Sequence, residues 1–131
     1  MLIGDCFVFK SRDDGSHLWV VISDPSMNPN CVLIVNLTSV KVAGYDGYED
    51  LSCVFNGGEH EWIRHQSYVS YFDARQYTNK ALDVLTSSAR LTETYQTVST
   101  ELVERIHAGA AITERLAGEF EALLREQGFI P

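Results

Sequence analysis

Leu18-Trp19-Val20-Val21-Ile22-Ser23 and Val32-Leu33-Ile34-Val35-Asn36-Leu37-Thr38-Ser39 are two short apolar runs rich in β-branched residues, with Pro25, Asn28, Pro29 and Asn30 between them. Apolar runs of this length bounded by turn formers predict two buried strands joined by a loop. Polar side chains stand at their ends: His17 leads the first run, and Thr38 and Ser39 close the second. These three are the first candidates for chemistry on a strand scaffold.

Other short strands are expected around this pair. Leu2, Cys6, Phe7, Val8 and Phe9 alternate loosely and predict a strand over residues 2–10, followed by an Asp14-Gly15 turn within residues 11–16. A glycine- and acid-rich loop spans residues 41–50, and Leu51-Ser52-Cys53-Val54-Phe55 reads as a short strand. Asn56-Gly57-Gly58 signals a tight hairpin turn into a strand over residues 59–65, and Tyr68 to Phe72 form another. At least five strands without interleaved helices argue for a small antiparallel barrel or strongly curved sheet.

The pattern changes after Tyr77. Thr78 or Asn79 caps a short helix through Leu85, and the Ser- and Thr-rich residues 86–98 read as loop. Ser99 or Thr100 caps a helix from Glu101 to about Ala108, with Glu101 and Glu104 favoured by the helix dipole and Gly109 ending or loosening it. Thr113 is expected to cap a last helix from Glu114 to Gln127, with Gly128 beyond it. Ile112, Leu116, Phe120, Leu123 and Leu124 form its apolar stripe. The expected fold is α+β and mainly β. Residues 1–77 form the barrel and residues 78–131 a helical extension packed on it or on a partner, within one compact domain.

Composition narrows the function classes. A chain of 131 residues is one domain by default and has no apolar run near the roughly 20 residues that span a bilayer. Met1-Leu2-Ile3-Gly4-Asp5 lacks the basic region of a secretory signal, so a cytoplasmic protein without a membrane role is expected. Cys6, Cys31 and Cys53 are widely spaced and form no CxxC pair, so they read as small buried hydrophobes. Net charge is −8, with 6 basic and 10 acidic residues in 1–80 and 4 basic and 8 acidic in 81–131. That even acidity opposes tight nucleic-acid binding driven by counterion release, while leaving local basic sites at Arg64 and Arg75.

Four features occur in an order that resembles the MazF/PemK (Kid/CcdB-like) toxin family. They are Gly4-Asp5, the polar loop at 11–16, His17-Leu18-Trp19-Val20-Val21-Ile22-Ser23, and Asn36-Leu37-Thr38-Ser39. The resemblance covers about 40 residues and implies an SH3-like barrel. It also implies metal-independent cleavage of single-stranded RNA by a toxin of a toxin–antitoxin system, acting as a homodimer with an antitoxin partner. Such enzymes use an arginine at the head of the second strand and a threonine or serine at the end of the third. Carried over, the latter is Thr38 with Ser39 beside it. The arginine position holds His17, and the strand-leading proline is replaced by Leu18.

Cleavage through a ribose 2′-OH needs a base, an acid and a group that meets phosphate charge. Histidine fills either proton-transfer role and arginine suits phosphate, so His17 and Thr38 with Arg64 or Arg75 form a candidate site. The Glu59 to Tyr68 segment is a second candidate, in which Arg64, His65, Ser67 and Tyr68 line a polar groove for nucleic acid or a protein partner. Read as a strand, it puts His60, Trp62 and Arg64 on one face and Glu61 and His65 on the other. Metal ligation by His60 and His65 would need a third ligand such as Glu59 or Asp73, and no metal or cofactor is expected. The alternatives are a non-catalytic barrel binding a partner through this segment and the helices, and a metal-dependent hydrolase centred on His60 and His65.

Overall fold

The computed structural model describes residues 1–9, 17–41, 43–87 and 92–131, apart from the side chains of 92–94. The expected Asp14-Gly15 turn lies outside the described residues. The strands are β1 (Cys6–Phe9), β2 (Leu18–Val21), β3 (Val32–Ser39), β4 (Val54–Phe55), β5 (Ser67–Tyr77) and β6 (Thr92–Thr94). The helices are α1 (Asn79–Ser87), α2 (Thr100–Ile112) and α3 (Gly118–Glu126). The fold is mixed α/β: the strands pair antiparallel in one sheet of order β4-β5-β3-β2-β1-β6.

This sheet is open, with β4 and β6 at its ends. The barrel expected from strand count needed an extended segment at residues 59–65, and there the chain turns instead. Asn56 N–H donates to Glu59 Oε2, Gly58 N–H to the Ile63 carbonyl and Trp62 N–H to His60 Nδ1. These local bonds satisfy backbone and side-chain groups that a ladder would otherwise use. The loop still reaches the far end of the sheet. His60 Nε2 donates to the Gln96 carbonyl and Gln96 N–H donates to Glu61 Oε1, both at 2.6 Å. Side chains, not a ladder, join the segments that follow the two edge strands.

Alternation along β3 sorts the core into two faces. Leu33, Val35 and Leu37 join Leu18, Val20, Tyr71 and the buried faces of α2 and α3 in the larger cluster. Val32 and Ile34 join Phe7, Phe9, Trp19, Val21 and Leu82 of α1 in the smaller. The second face is apolar only at that end. Toward the end of β3 it carries Asn36 and Thr38.

Several helix boundaries differ from the sequence expectation. Ser99 does cap α2, accepting from Leu102 N–H, but α2 continues through Gly109 to Ile112. Gly109 is there for close approach: a Cβ on it would meet the Tyr71 hydroxyl, and would lie 2.8 Å from Cys53 Cβ and 2.9 Å from the Ser52 carbonyl oxygen. Thr113 is the C-cap of α2, its N–H bonded to the Gly109 carbonyl, and α3 begins only at Gly118. Ile112, expected in the apolar stripe, is 70% exposed, whereas Leu116, Phe120, Leu123 and Leu124 are buried. Part of the expected loop at 86–98 is β6, a three-residue edge strand recruited by β1.

His107 of α2 is buried, donates from Nε2 to the Ile22 carbonyl at 2.7 Å and stacks on Phe129. Burial holds its pKa below the ordinary 6.5, against the opposing pull of the Ile22 carbonyl and Glu104. The unfolded chain therefore takes up this proton first as pH falls through 6.5. This contribution to stability is complete above that value and shrinks below it. Melting temperature is expected to fall between about pH 7 and about pH 5. His107→Gln, which keeps a donor for Ile22, should flatten that fall; an unchanged slope would contradict the assignment.

Candidate functional site

The strand register assembles a polar row across three strands. Leu18 pairs with Leu37, so continuing the register by one residue sets His17 opposite Thr38. Thr38 in turn pairs with Tyr68 on β5. Directly opposed residues share a sheet face, so His17, Thr38 and Tyr68 emerge side by side. In the next row Trp19 pairs with Asn36, and Asn36 with Ser70.

Hydrogen bonding gives the row a direction. Thr38 Oγ1 donates to Oδ1 of the buried Asn36 at 2.8 Å. Its single proton is thereby used, so toward His17 Nδ1, 3.5 Å away, the Thr38 oxygen can only accept. With the Thr38 proton on Asn36, this long contact is a hydrogen bond in the tautomer with the proton on Nδ1, which leaves the lone pair on Nε2. Burial, followed by the charges of Glu49, Asp73 and Asp46, raises the Tyr68 pKa above its usual value and keeps the phenol protonated. Ser70 Oγ donates to Asp73 Oδ2 at 2.7 Å beside the row.

Arg75 pairs with Ile34, one row further along, but its guanidinium carbon lies 4.5 Å from the centre of the Trp19 ring. The pairing between β3 and β5 is irregular between Ile34 and Asn36, with Ile34 opposite Arg75 and Asn36 opposite Ser70. This bulge inserts extra residues in β5 and brings Arg75 over the Trp19–Asn36 row. Trp19 is 1% exposed, and its indole N–H has no hydrogen-bond partner among the described residues.

The remaining sequence candidates divide from this row. Ser39, next to Thr38, emerges on the opposite face, where it lines a cleft with Glu61, Trp62, Arg64, His65 and Tyr95. Ser67 is buried and donates to the His65 carbonyl, so it shapes the chain before β5. The shared strand face for His60, Trp62 and Arg64 disappears with the strand itself. His60 is buried and held by Gln96 and Trp62, whereas His65 is exposed. Among the described residues no three His, Cys, Asp or Glu side chains converge as metal ligands.

Cys6 Sγ lies 3.8 Å from His60 Nε2 and donates to the Gln96 carbonyl at 2.9 Å. Burial, reinforced by Asp5 and Glu61, pushes this thiol up to about 12, so the pair holds no thiolate nucleophile near neutral pH. Asn36 was the participant that sequence reasoning left out. A lone amide in an apolar run, two residues from Thr38, was the signal for it.

No protein-family model matches the chain, and neither the curated proteins nor the solved structures contain a significant match. Among the described residues no helix is long and apolar enough to cross a membrane.

Proposed function

We propose that this chain is a metal-independent endoribonuclease of the toxin type, built on an SH3-like curled sheet and cutting single-stranded RNA at the His17–Thr38–Tyr68 row. The observation that supports this reading most is the hydrogen-bond chain from Asn36 through Thr38 to His17. It orients a proton acceptor, the His17 Nε2 lone pair, in the row that also carries the protonated Tyr68 phenol.

In the proposed reaction His17 Nε2 takes the proton from the ribose 2′-OH as that oxygen attacks phosphorus. Tyr68 gives a proton to the departing 5′ oxygen. The P–O5′ bond breaks, leaving a 2′,3′-cyclic phosphate and a 5′-hydroxyl. His17 and Tyr68 are two strand spacings apart, about 10 Å between backbones, which suits groups on opposite sides of a phosphorus undergoing in-line displacement. Arg75, held on Trp19, offsets charge on the non-bridging oxygens. Thr38 and Asn36 are positioning residues.

Purified protein should cut unstructured RNA in the presence of EDTA, and the products should carry cyclic phosphate ends. Uncut RNA, or cutting abolished by EDTA, would overturn the proposal. The acidic surplus of 8 charges favours a second reading, a non-catalytic module for a protein partner. Failure of the cleavage assay together with partner loss on removing residues 99–131 would favour it.

A further inference from the structure

The cleft of about 320 Å³ lined by Ser39, Glu61, Trp62, Arg64, His65 and Tyr95 lies on the opposite side of the sheet from the His17–Thr38 row. Its volume is at the low end for small-ligand sites. Its walls are built, because the bonds that tie the 59–62 loop to Gln96 also frame it. His60 accepts from Trp62 N–H and donates to the Gln96 carbonyl, while Glu61 holds Gln96 N–H. Trp62 is therefore fixed in relation to Tyr95, the residue before Gln96. Gly57 seats the loop from below: a Cβ there would lie 2.6 Å from the Arg64 carbonyl oxygen.

The lining combines two aromatic rings with the Arg64 guanidinium, the His65 imidazole, the Ser39 hydroxyl and the Glu61 carboxylate, which is engaged by Gln96 N–H. Trp62 and Tyr95 are half-buried and packed against the larger core, so each ring is braced from behind. Arg64 is exposed and forms no ion pair among the described residues. Braced aromatic rings beside an unpaired guanidinium and the Ser39 hydroxyl fit a flat aromatic group attached to a phosphate.

We propose that the cleft binds a nucleobase of the single-stranded RNA, held by Trp62 and Tyr95, with Arg64 on the adjoining phosphate. The inference rests on the ribonuclease reading for the identity of the strand. Thr38 and Ser39 are consecutive and emerge on opposite faces, so one RNA chain can pass round the end of β3, with one nucleotide at Thr38 and a neighbour in the cleft. It also accounts for how so acidic a chain holds RNA: affinity comes from stacking, which tolerates any base, and little from net charge.

A fluorescent RNA oligomer with 2′-O-methyl riboses cannot be cut and so reports binding alone. Arg64→Ala and Trp62→Leu are each expected to weaken its binding to the full chain by about tenfold or more. With Arg64 on the cleft phosphate and Arg75 on the one at the row, the logarithm of affinity should fall with the logarithm of salt at a slope of about −1.4, and of about −0.7 in Arg64→Ala. Arg64 is exposed, so its variant reports even if Trp62→Leu unfolds. Wild-type binding in Arg64→Ala, no oligomer binding by the unaltered chain, or AMP, CMP, GMP or UMP bound as tightly as the oligomer would each overturn the proposal. His17→Ala separates the two claims. Unaltered cleavage of ordinary RNA by that variant, with oligomer binding lost in Arg64→Ala, rejects the reaction and keeps the cleft. Cleavage lost in His17→Ala, with oligomer binding intact in Arg64→Ala, rejects the cleft and keeps the reaction.

Discussion

Gly109→Ala is expected to destabilise the chain by about 3 kcal/mol and lower its melting temperature by roughly 10 °C. The sign decides between two roles for this glycine. In an exposed helix interior the same change stabilises by about 1 kcal/mol, because alanine loses less backbone entropy. Here the added methyl meets the Tyr71 hydroxyl, Cys53 Cβ and the Ser52 carbonyl oxygen. Two of these are short or main-chain atoms that cannot swing aside, and Tyr71 is tied down by its 2.6 Å bond to the Ile106 carbonyl. Thermal or urea unfolding measures the effect. A variant as stable as the parent would mean that α2 does not sit this close to β5 and the turn before β4. Adding Tyr71→Phe should recover only part of the loss, because the Cys53 and Ser52 contacts remain.

The second large effect falls on catalysis. His17→Ala is expected to reduce kcat by about 10²- to 10⁴-fold, the usual contribution of a positioned proton-transfer group. Thr38→Val keeps the side-chain shape, removes the hydroxyl and frees the imidazole tautomer. It should lower kcat by about 10- to 100-fold, in line with loss of one buried hydrogen-bond partner. Asn36→Leu should resemble Thr38→Val, since it removes the acceptor that consumes the Thr38 proton. KM should change little in all three. A rise in KM with kcat unchanged would make this row a binding surface instead. Neither Thr38→Val nor Asn36→Leu touches the cleft on the other face.

The parts of the fold legible in the sequence are those set by local pattern. Strand β3 has the same bounds in the structure as in its apolar run, because β-branched residues fill it and turn formers precede it. Capping by Ser99 was equally local. The misread elements depend on partners distant in the chain. Residues 59–65 alternate enough to look like a strand, but His60 and Glu61 are committed to Gln96, more than thirty positions away. Strand β6 has no pattern of its own, and β1 makes it a strand. Gly109 looked like a helix stop because its reason for being there, a crowded contact with Tyr71, Cys53 and Ser52, is wholly non-local.

The candidate site divides in the same way. His17 and Thr38 were legible as polar ends of apolar strands, and antiparallel pairing brought them together. Grouping Ser39 with Thr38 overlooked the alternation that sends consecutive strand residues to opposite faces. Tyr68 joined the row through a register that only the folded sheet reveals, and Arg75 through a bulge in β5.

The most direct test is a time course of single-stranded RNA cleavage in EDTA, comparing the unaltered protein with His17→Ala at equal concentration and equal measured stability. The expected result is 2′,3′-cyclic phosphate products from the unaltered protein and a rate at least about 100-fold lower from the variant. Equal rates from the two proteins, or no cleavage by either, would contradict the account.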